Sequence, residues 1–338
     1  GVAPDHQRTK TITDVLEEAL ARPNVRCYFN VEVGRDITVD ELFETHNAVV
    51  IATGASTGRT LGVPGEELDG VISAHDFVSW YNGHPDYAER TYDLEGVRRV
   101  VVIGNGNVAI DIVRVLSASP AHFITSDMPS YALEALKVSQ VEQVEVVSRR
   151  SPDGAAYTVA EAAALRSLPG VQVTAVADHF TETADDPLHH GPVGALKSRL
   201  AREWASTVVR DDEGRIVRFR YGLSPVRING ASRVESTTFT SAVSGDHFDL
   251  PADLMILALG SAATPLAGVP FDVAAMRVPS NSSRVLDGGR PVEGLYCAGW
   301  VKRGPSGGLG SNKFDALDTA DAILRDYRAG RLRSVISD

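Results

Sequence analysis

The stretch Arg99-Val100-Val101-Val102-Ile103-Gly104-Asn105-Gly106-Asn107-Val108-Ala109-Ile110-Asp111 decides the fold. An unbroken apolar strand of this kind is buried on both faces, as in a parallel sheet. It enters a G-x-G-x-x-A turn, after which a helical pattern runs from Asn107 to Ser117, ahead of Pro120. In such a turn the first glycine permits the bend and the second lets a pyrophosphate reach the backbone. The small last residue lets helix pack on strand. The helix N-terminus offers unbonded N–H groups and partial positive charge to phosphates. Strand, turn and helix in this order point to a dinucleotide site; the plainer alternative is a structural glycine turn.

Further along, Ser126 to Val138 reads as a helix and Val144 to Ser148 as a second strand. That strand ends in Arg149-Arg150, where a site for NAD wants an acidic side chain to hold the ribose 2′-hydroxyl. Two guanidiniums suit a 2′-phosphate instead, which favours NADP, against the alternative of a solvated basic pair. Thr158-Val159-Ala160-Glu161 has the spacing of a capping box opening a helix to Leu168, and Val171 to Ala177 is a third strand. The alternation predicts an α/β fold with a doubly wound parallel sheet. Residues 180–192, with the pair His189-His190, read as a surface loop, and Val193 to Val209 as a helix. From Arg215 to Leu250 the pattern alternates, with turns at Asn229-Gly230 and Ser244-Gly245, and predicts an antiparallel β excursion.

Two apolar runs resemble each other: Ala48 to Thr53, ending at Gly54, and Asp253 to Leu259, ending at Gly260. Before the first, Thr9 to Leu20 has helical spacing, Cys27 to Val33 reads as a strand and Asp40 to Thr45 as a short helix. Asp76 to Tyr81 is a helical turn closed by Asn82-Gly83. Gly294 to Ala298 is a last strand and Phe314 to Ala329 a closing helix. Asp111 lies in the first turn of the nucleotide helix. There it either complements the helix dipole or serves as a proton-relay residue.

Composition excludes several classes. The 338 residues are 43% hydrophobic and 23% charged, with a net charge of −11. This is a globular composition with length enough for two domains, and its acidity opposes nucleic-acid binding. No apolar run reaches the roughly 18 residues of a membrane-spanning helix. The opening Gly1-Val2-Ala3-Pro4-Asp5-His6 lacks a signal-peptide pattern, and a cytoplasmic setting is expected. The cysteines, Cys27 and Cys297, lie far apart and form no C-x-x-C pair, and the histidines show no metal-ligand spacing, so no metal site is expected.

At this point the strings resemble one family. Val102 to Asp111, and Phe77-Val78-Ser79-Trp80-Tyr81-Asn82-Gly83-His84-Pro85 before it, resemble segments of adrenodoxin-reductase-type ferredoxin–NADP reductases. Arg149-Arg150-Ser151-Pro152 resembles the family's Arg-Arg-Gly-Pro. Leu295-Tyr296-Cys297-Ala298-Gly299-Trp300-Val301-Lys302-Arg303-Gly304-Pro305-Ser306-Gly307 resembles its flavin-contacting signature, and the opening Gly1 to His6 also resembles a family segment.

The resemblance implies two Rossmann-like, three-layer dinucleotide-binding domains: residues 97–252 for NADP, and residues 1–96 with 253–338 as a discontinuous FAD domain lacking its N-terminal βαβ unit. It implies FAD and NADP as cofactors, with electrons passing to a ferredoxin or similar iron–sulfur protein. Gly104, Asn105, Gly106, Asn107 and Val108 would line the pyrophosphate, Arg149 and Arg150 would hold the 2′-phosphate, and Glu161 would join the same site. Thr53 and Gly54 would pass close to FAD, and Gly299, Trp300, Gly307 and Gly308 would lie against the flavin. Trp300 has the alternative of an interdomain core aromatic. The helix beginning around Asn312 is a candidate source of positive field for the flavin. Asp111 is the catalytic candidate, and its histidine partner is expected in the segment ahead of Gly1. Arg98, Arg99, Lys137, Arg149, Arg150, Lys302 and Arg303 are candidates for docking an acidic ferredoxin.

Two departures stand out. Ser151 replaces the family's glycine, and Gly307-Gly308-Leu309-Gly310 is richer in glycine than the usual run. The alternatives are a glutamate-synthase-type NADPH-oxidising subunit and a remnant that binds NADP(H) without flavin or turnover. A thioredoxin-reductase-like reading is opposed by the missing C-x-x-C.

Overall fold

The structure, a computed structural model, describes residues 3–180, 187–210, 213–307 and 309–335. It divides into two units, Gly1–Asp14 with Gly58–Gly260, and Val15–Thr57 with Ser261–Asp338. The first unit is therefore larger than the nucleotide domain expected at 97–252.

The first unit is built on a six-stranded sheet in the order Val71–Ser73, Leu254–Leu257, Arg99–Ile103, Gln143–Val147, Arg215–Arg220, Val171–Ala175, with every neighbouring pair parallel. Alternation along the strands divides its core in two. Val100, Val102, Val144, Val146 and Ile256 point into a cluster with Ile110, Val113 and Leu116 of the helix Asn107–Ser117. Val101, Ile103, Val147 and Met255 point the other way, into a cluster with Leu223, Ile228 and Phe239. The latter come from a three-stranded antiparallel sheet, Leu223–Asn229, Ser236–Ser241 and His247–Pro251. Three layers result: helices, parallel sheet, antiparallel sheet.

Two strands fall elsewhere than their patterns suggest. Arg215–Arg220 does not open the antiparallel excursion. It lies in the parallel sheet, because Val217 and Phe219 are buried in the helix-side core while Arg218 and Arg220 close on the buried carboxylate of Glu145, at 3.0 and 2.7 Å. Leu254–Leu257, expected in the flavin half, pairs with Arg99–Ile103, and with it the segment from Gly58 onwards joins this unit.

In the second unit Val49–Ile51 runs parallel to Arg290–Cys297, which continues antiparallel into Arg284–Asp287 and Ser280–Asn281. Its core gathers Val39, Val49, Ile51, Val285, Leu295, Cys297 and Val301. The helix Leu309–Arg328 is tied to this sheet through Asp326, which accepts from Arg284 at 2.7 Å and from the Tyr296 hydroxyl at 2.8 Å. Those donors, Arg284 first, hold the Asp326 carboxyl well below its usual range. The helix Val39–Thr45 opens on a capping box, with Glu41 N–H donating to Thr38 Oγ1 and Thr38 N–H to Glu41 Oε2. The strand expected over Cys27 to Val33 does not form; only Val33 makes a bridge, to Ile37, and Tyr28 and Phe29 are exposed. Of the loop expected over 180–192, residues 181–186 lie outside the described residues. A helix already begins at Pro187, kinks at Gly191 and ends at Ala205.

Candidate functional site

The glycine turn sits beyond the C-terminal end of the parallel strand Arg99–Ile103, the edge at which open α/β sheets bind ligands. Gly104 has φ +116, and its N–H donates to Val147 O at 2.8 Å. A Cβ there would stand 2.2 Å from Ala258 O, so backbone on two sides dictates this glycine. Gly106 differs: its backbone is extended, and a Cβ would meet nothing nearer than Ala156 Cβ at 3.9 Å. The protein's own packing does not require glycine at 106. Glycine there is what the close approach of a phosphate to the backbone would call for. Gly106 also caps the helix without a side-chain acceptor, which leaves the first-turn N–H groups free for an anion. Asn105 is 7% exposed and its Nδ2 is buried with no partner among the described residues. Val108 is exposed at the first turn.

Arg149 and Arg150 follow the adjacent strand Gln143–Val147, and both are exposed. Among the described residues neither guanidinium has an acidic partner. The backbone beneath them is fixed, since Arg150 O accepts from Ser148 Oγ at 3.1 Å and from Gly222 N at 3.3 Å.

Sequence reasoning missed His6. A histidine partner for Asp111 was expected ahead of Gly1, yet His6 caps the short helix Gln7–Lys10 and faces Asp111 within this unit. Ligand atoms of His6, Asp111 and Glu161 all lie within 4.8 Å of one another. His6 Nε2 stands 3.6 Å from Glu161 Oε2, which lies 3.7 Å from Arg114 Nη2. Arg114, itself buried, also reaches Asp5 at 3.4 Å, and Asp5 takes His122 Nε2 at 2.9 Å. Three ligand-type side chains this close have the makings of a cation site. The Arg114 guanidinium already supplies the countercharge, and the arrangement reads as a proton network.

Burial pushes the Asp111 carboxyl up to about 6, with Glu161 adding to the rise and His6 and Arg114 opposing it. The buried Tyr81 hydroxyl is pushed well above its usual range by burial first, then by Asp111 and Asp5. The segment resembling Gly1 to His6 contained the signal for His6; its distance of about a hundred residues from Asp111 concealed the pairing.

The capping box expected at Thr158–Glu161 does not form, although the helix Val159–Ala164 does. Glu161 turns instead toward His6 and Arg114, and the Thr158 N–H donates to Asn107 Oδ1 at 2.8 Å.

In the second unit the strands Val49–Ile51 and Arg290–Cys297 end side by side, which places Ala52-Thr53-Gly54 and Ala298-Gly299-Trp300 at one sheet edge. Thr53 is exposed. Gly54 and Gly299 have φ +73 and +77, and nothing lies within 4 Å of a Cβ at either. Gly307, at φ +77, would press a Cβ to 2.2 Å from Ser311 Oγ, and Gly308 lies outside the described residues. Trp300 Nε1 and Arg303 Nη1 are buried donors without partners among the described residues. Open glycines beside unsatisfied donors fit a planar group with acceptors on its edge. Asp315 accepts from Gly299 N–H and pairs with Lys302, holding this edge in place. The helix begins at Leu309, three residues before the expected Asn312.

Most of the proposed docking cations are already engaged: Arg98 with Glu142, Arg99 with Asp253, Lys137 with Glu134, Lys302 with Asp315 and Arg303 with Asn312. Arg149 and Arg150 are the exceptions. No helix among the described residues is long and apolar enough to cross a membrane.

No family model matches the chain. Individual relatives do. NADPH-ferredoxin reductase FprA of Mycobacterium tuberculosis is 37% identical over 342 residues, covering 96% of this chain and 73% of the relative. Mitochondrial NADPH:adrenodoxin oxidoreductase of Bos taurus is 35% identical over 363 residues, covering 99% and 72%. The structure of Mycobacterium tuberculosis FprA in complex with NADPH matches with a TM-score of 0.90 at 36% identity, covering 99% of this chain and 76% of that one. On this identity and coverage, the chain belongs to the adrenodoxin-reductase-type family of NADPH–ferredoxin reductases.

Proposed function

We propose that the chain carries the NADP(H)-binding and flavin-contacting parts of a reductase that moves electrons from NADPH through FAD to a small iron–sulfur protein of the ferredoxin type. The observation that carries this reading is the first unit's sheet edge. There a pyrophosphate-ready turn, two arginines without an acidic partner among the described residues and the His6–Asp111–Glu161 network lie in one unit. Gly104, Asn105, Gly106, Asn107 and Val108 shape the pyrophosphate site; Arg149 and Arg150 take the 2′-phosphate with paired donors. Asp111, with a proton affinity near neutrality, exchanges a proton with His6 while Glu161 and Arg114 hold the network's charge. Thr53, Gly54 and Gly299 offer the flavin open backbone, Trp300 a buried donor, and Gly307 a tight turn against Ser311.

Bound FAD and NADPH supply the hydride and single-electron chemistry, and the protein supplies orientation and electrostatics. A cytoplasmic setting and an acidic ferredoxin partner belong to the same reading. The test is anaerobic: the chain is mixed with FAD, the retained flavin is followed in the visible spectrum, and NADPH is added. Bleaching of retained flavin, followed by electron delivery to a ferredoxin, is the expected result. NADP(H) binding with no flavin retained supports the remnant reading instead.

A further inference from the structure

We infer that Asn105 and Asn107 are positioning residues. Their side-chain carbonyls latch the backbone at residues 156–158, the far end of the loop that begins with Arg149-Arg150, and so set the preference for NADPH over NADH without touching the 2′-phosphate. This rests on the nucleotide assignment above.

Asn105 Oδ1 accepts from Ala156 N at 3.2 Å, and Asn107 Oδ1 from Thr158 N at 2.8 Å. The residues between alternate: Ala155 and Tyr157 point into the core, while the N–H groups of Ala156 and Thr158 turn to the two asparagines. Core packing and the bond from Tyr157 to the Tyr221 hydroxyl at 2.9 Å hold the loop against the unit. The amide latch fixes its register relative to the glycine turn. The near end is pinned separately, by Ser148 and Gly222 on Arg150 O. A loop held at both ends fixes the two exposed arginines just past the strand end that meets the turn; one held at a single end lets them spread.

The choice of asparagine also carries information. Aspartate would accept the same two bonds, and at position 105 it would remove the unpartnered, buried Nδ2. A carboxylate beside the turn would repel a pyrophosphate. A neutral acceptor meets both demands, latching the loop and admitting the phosphates.

Two kinds of substitution separate these roles. Backbone amide exchange at Ala156 and Thr158 is measured in the nucleotide-free chain, and affinities for NADPH and NADH are measured by titration. Asn105→Ala and Asn107→Ala should accelerate exchange at Ala156 and Thr158 respectively. Each should narrow the NADPH-to-NADH preference by roughly two- to tenfold, the weight of one neutral hydrogen bond. Asn105→Asp and Asn107→Asp should leave exchange protected and weaken both nucleotides together. Alanine variants that weaken both nucleotides equally, or that leave exchange unchanged, overturn the latch. A wild-type chain with no preference for NADPH overturns the underlying nucleotide assignment, and the exchange pattern still decides whether the loop is latched.

Discussion

The turn at Gly104–Gly106 and the segment Gly299–Gly307 are both rich in glycine, but their glycines answer to different neighbours. Gly104 is hemmed in by the protein itself, with Ala258 O where its side chain would be. Gly299 and Gly304 face open space, beside two buried donors that no group among the described residues satisfies. Gly104 is fixed by folding, whereas Gly299 and Gly304 leave room for an occupant. A glycine that folding requires costs stability when replaced, whereas one that an occupant requires costs binding.

The sharpest way to break this comparison is Gly104→Ala. It combines a positive φ with a backbone clash and should lose about 3 kcal/mol or more of stability, read as a lower denaturation midpoint. Next in size, neutralising both Arg149 and Arg150 with glutamine should weaken NADPH by roughly 100-fold while NADH changes little, since the lost bonds are charge-assisted. Asp111→Asn should follow. Burial raises the folded carboxyl to about 6 against 3.8 for the ordinary group, so its favourable contribution is full below about pH 4 and fades as pH rises through 6. The variant removes that dependence. Relative to wild type it should be more stable at pH 7 than at pH 4 by roughly 2 kcal/mol, read from urea midpoints at the two pH values. The smallest effect is expected from Gly299→Ala. Left-handed backbone alone costs roughly 1 kcal/mol, and the larger loss should be in flavin retention. A Gly299 variant as destabilised as the Gly104 variant would erase the distinction between the two segments.

The sequence showed what is local and left hidden what is not. The strand Arg99–Ile103, its turn and its helix were legible to the residue, because period, glycine spacing and burial all agree there. Arg215–Arg220 misled because alternating arginines mimic a half-exposed antiparallel strand. Arg218 and Arg220 in fact pair with Glu145 on the neighbouring parallel strand, and Arg215 donates to the backbone oxygens of Val141, Ser117 and Ala118. The Thr158–Glu161 spacing predicted a capping box that tertiary partners outbid, Asn107 for the Thr158 N–H and Arg114 and His6 for Glu161. Asp111 was found by position, but its partner was not. His6 reaches it only because the segment around the helix Gln7–Lys10 packs into the same unit, which no local pattern encodes.

The most direct test of the central claim is a pair of titrations of the wild-type chain with NADPH and NADH, repeated for the doubly substituted Arg149→Gln, Arg150→Gln protein. A strong preference for NADPH that disappears in the variant is the predicted result. Equal affinity of the wild-type chain for the two nucleotides, or a preference that survives the loss of both arginines, would contradict it.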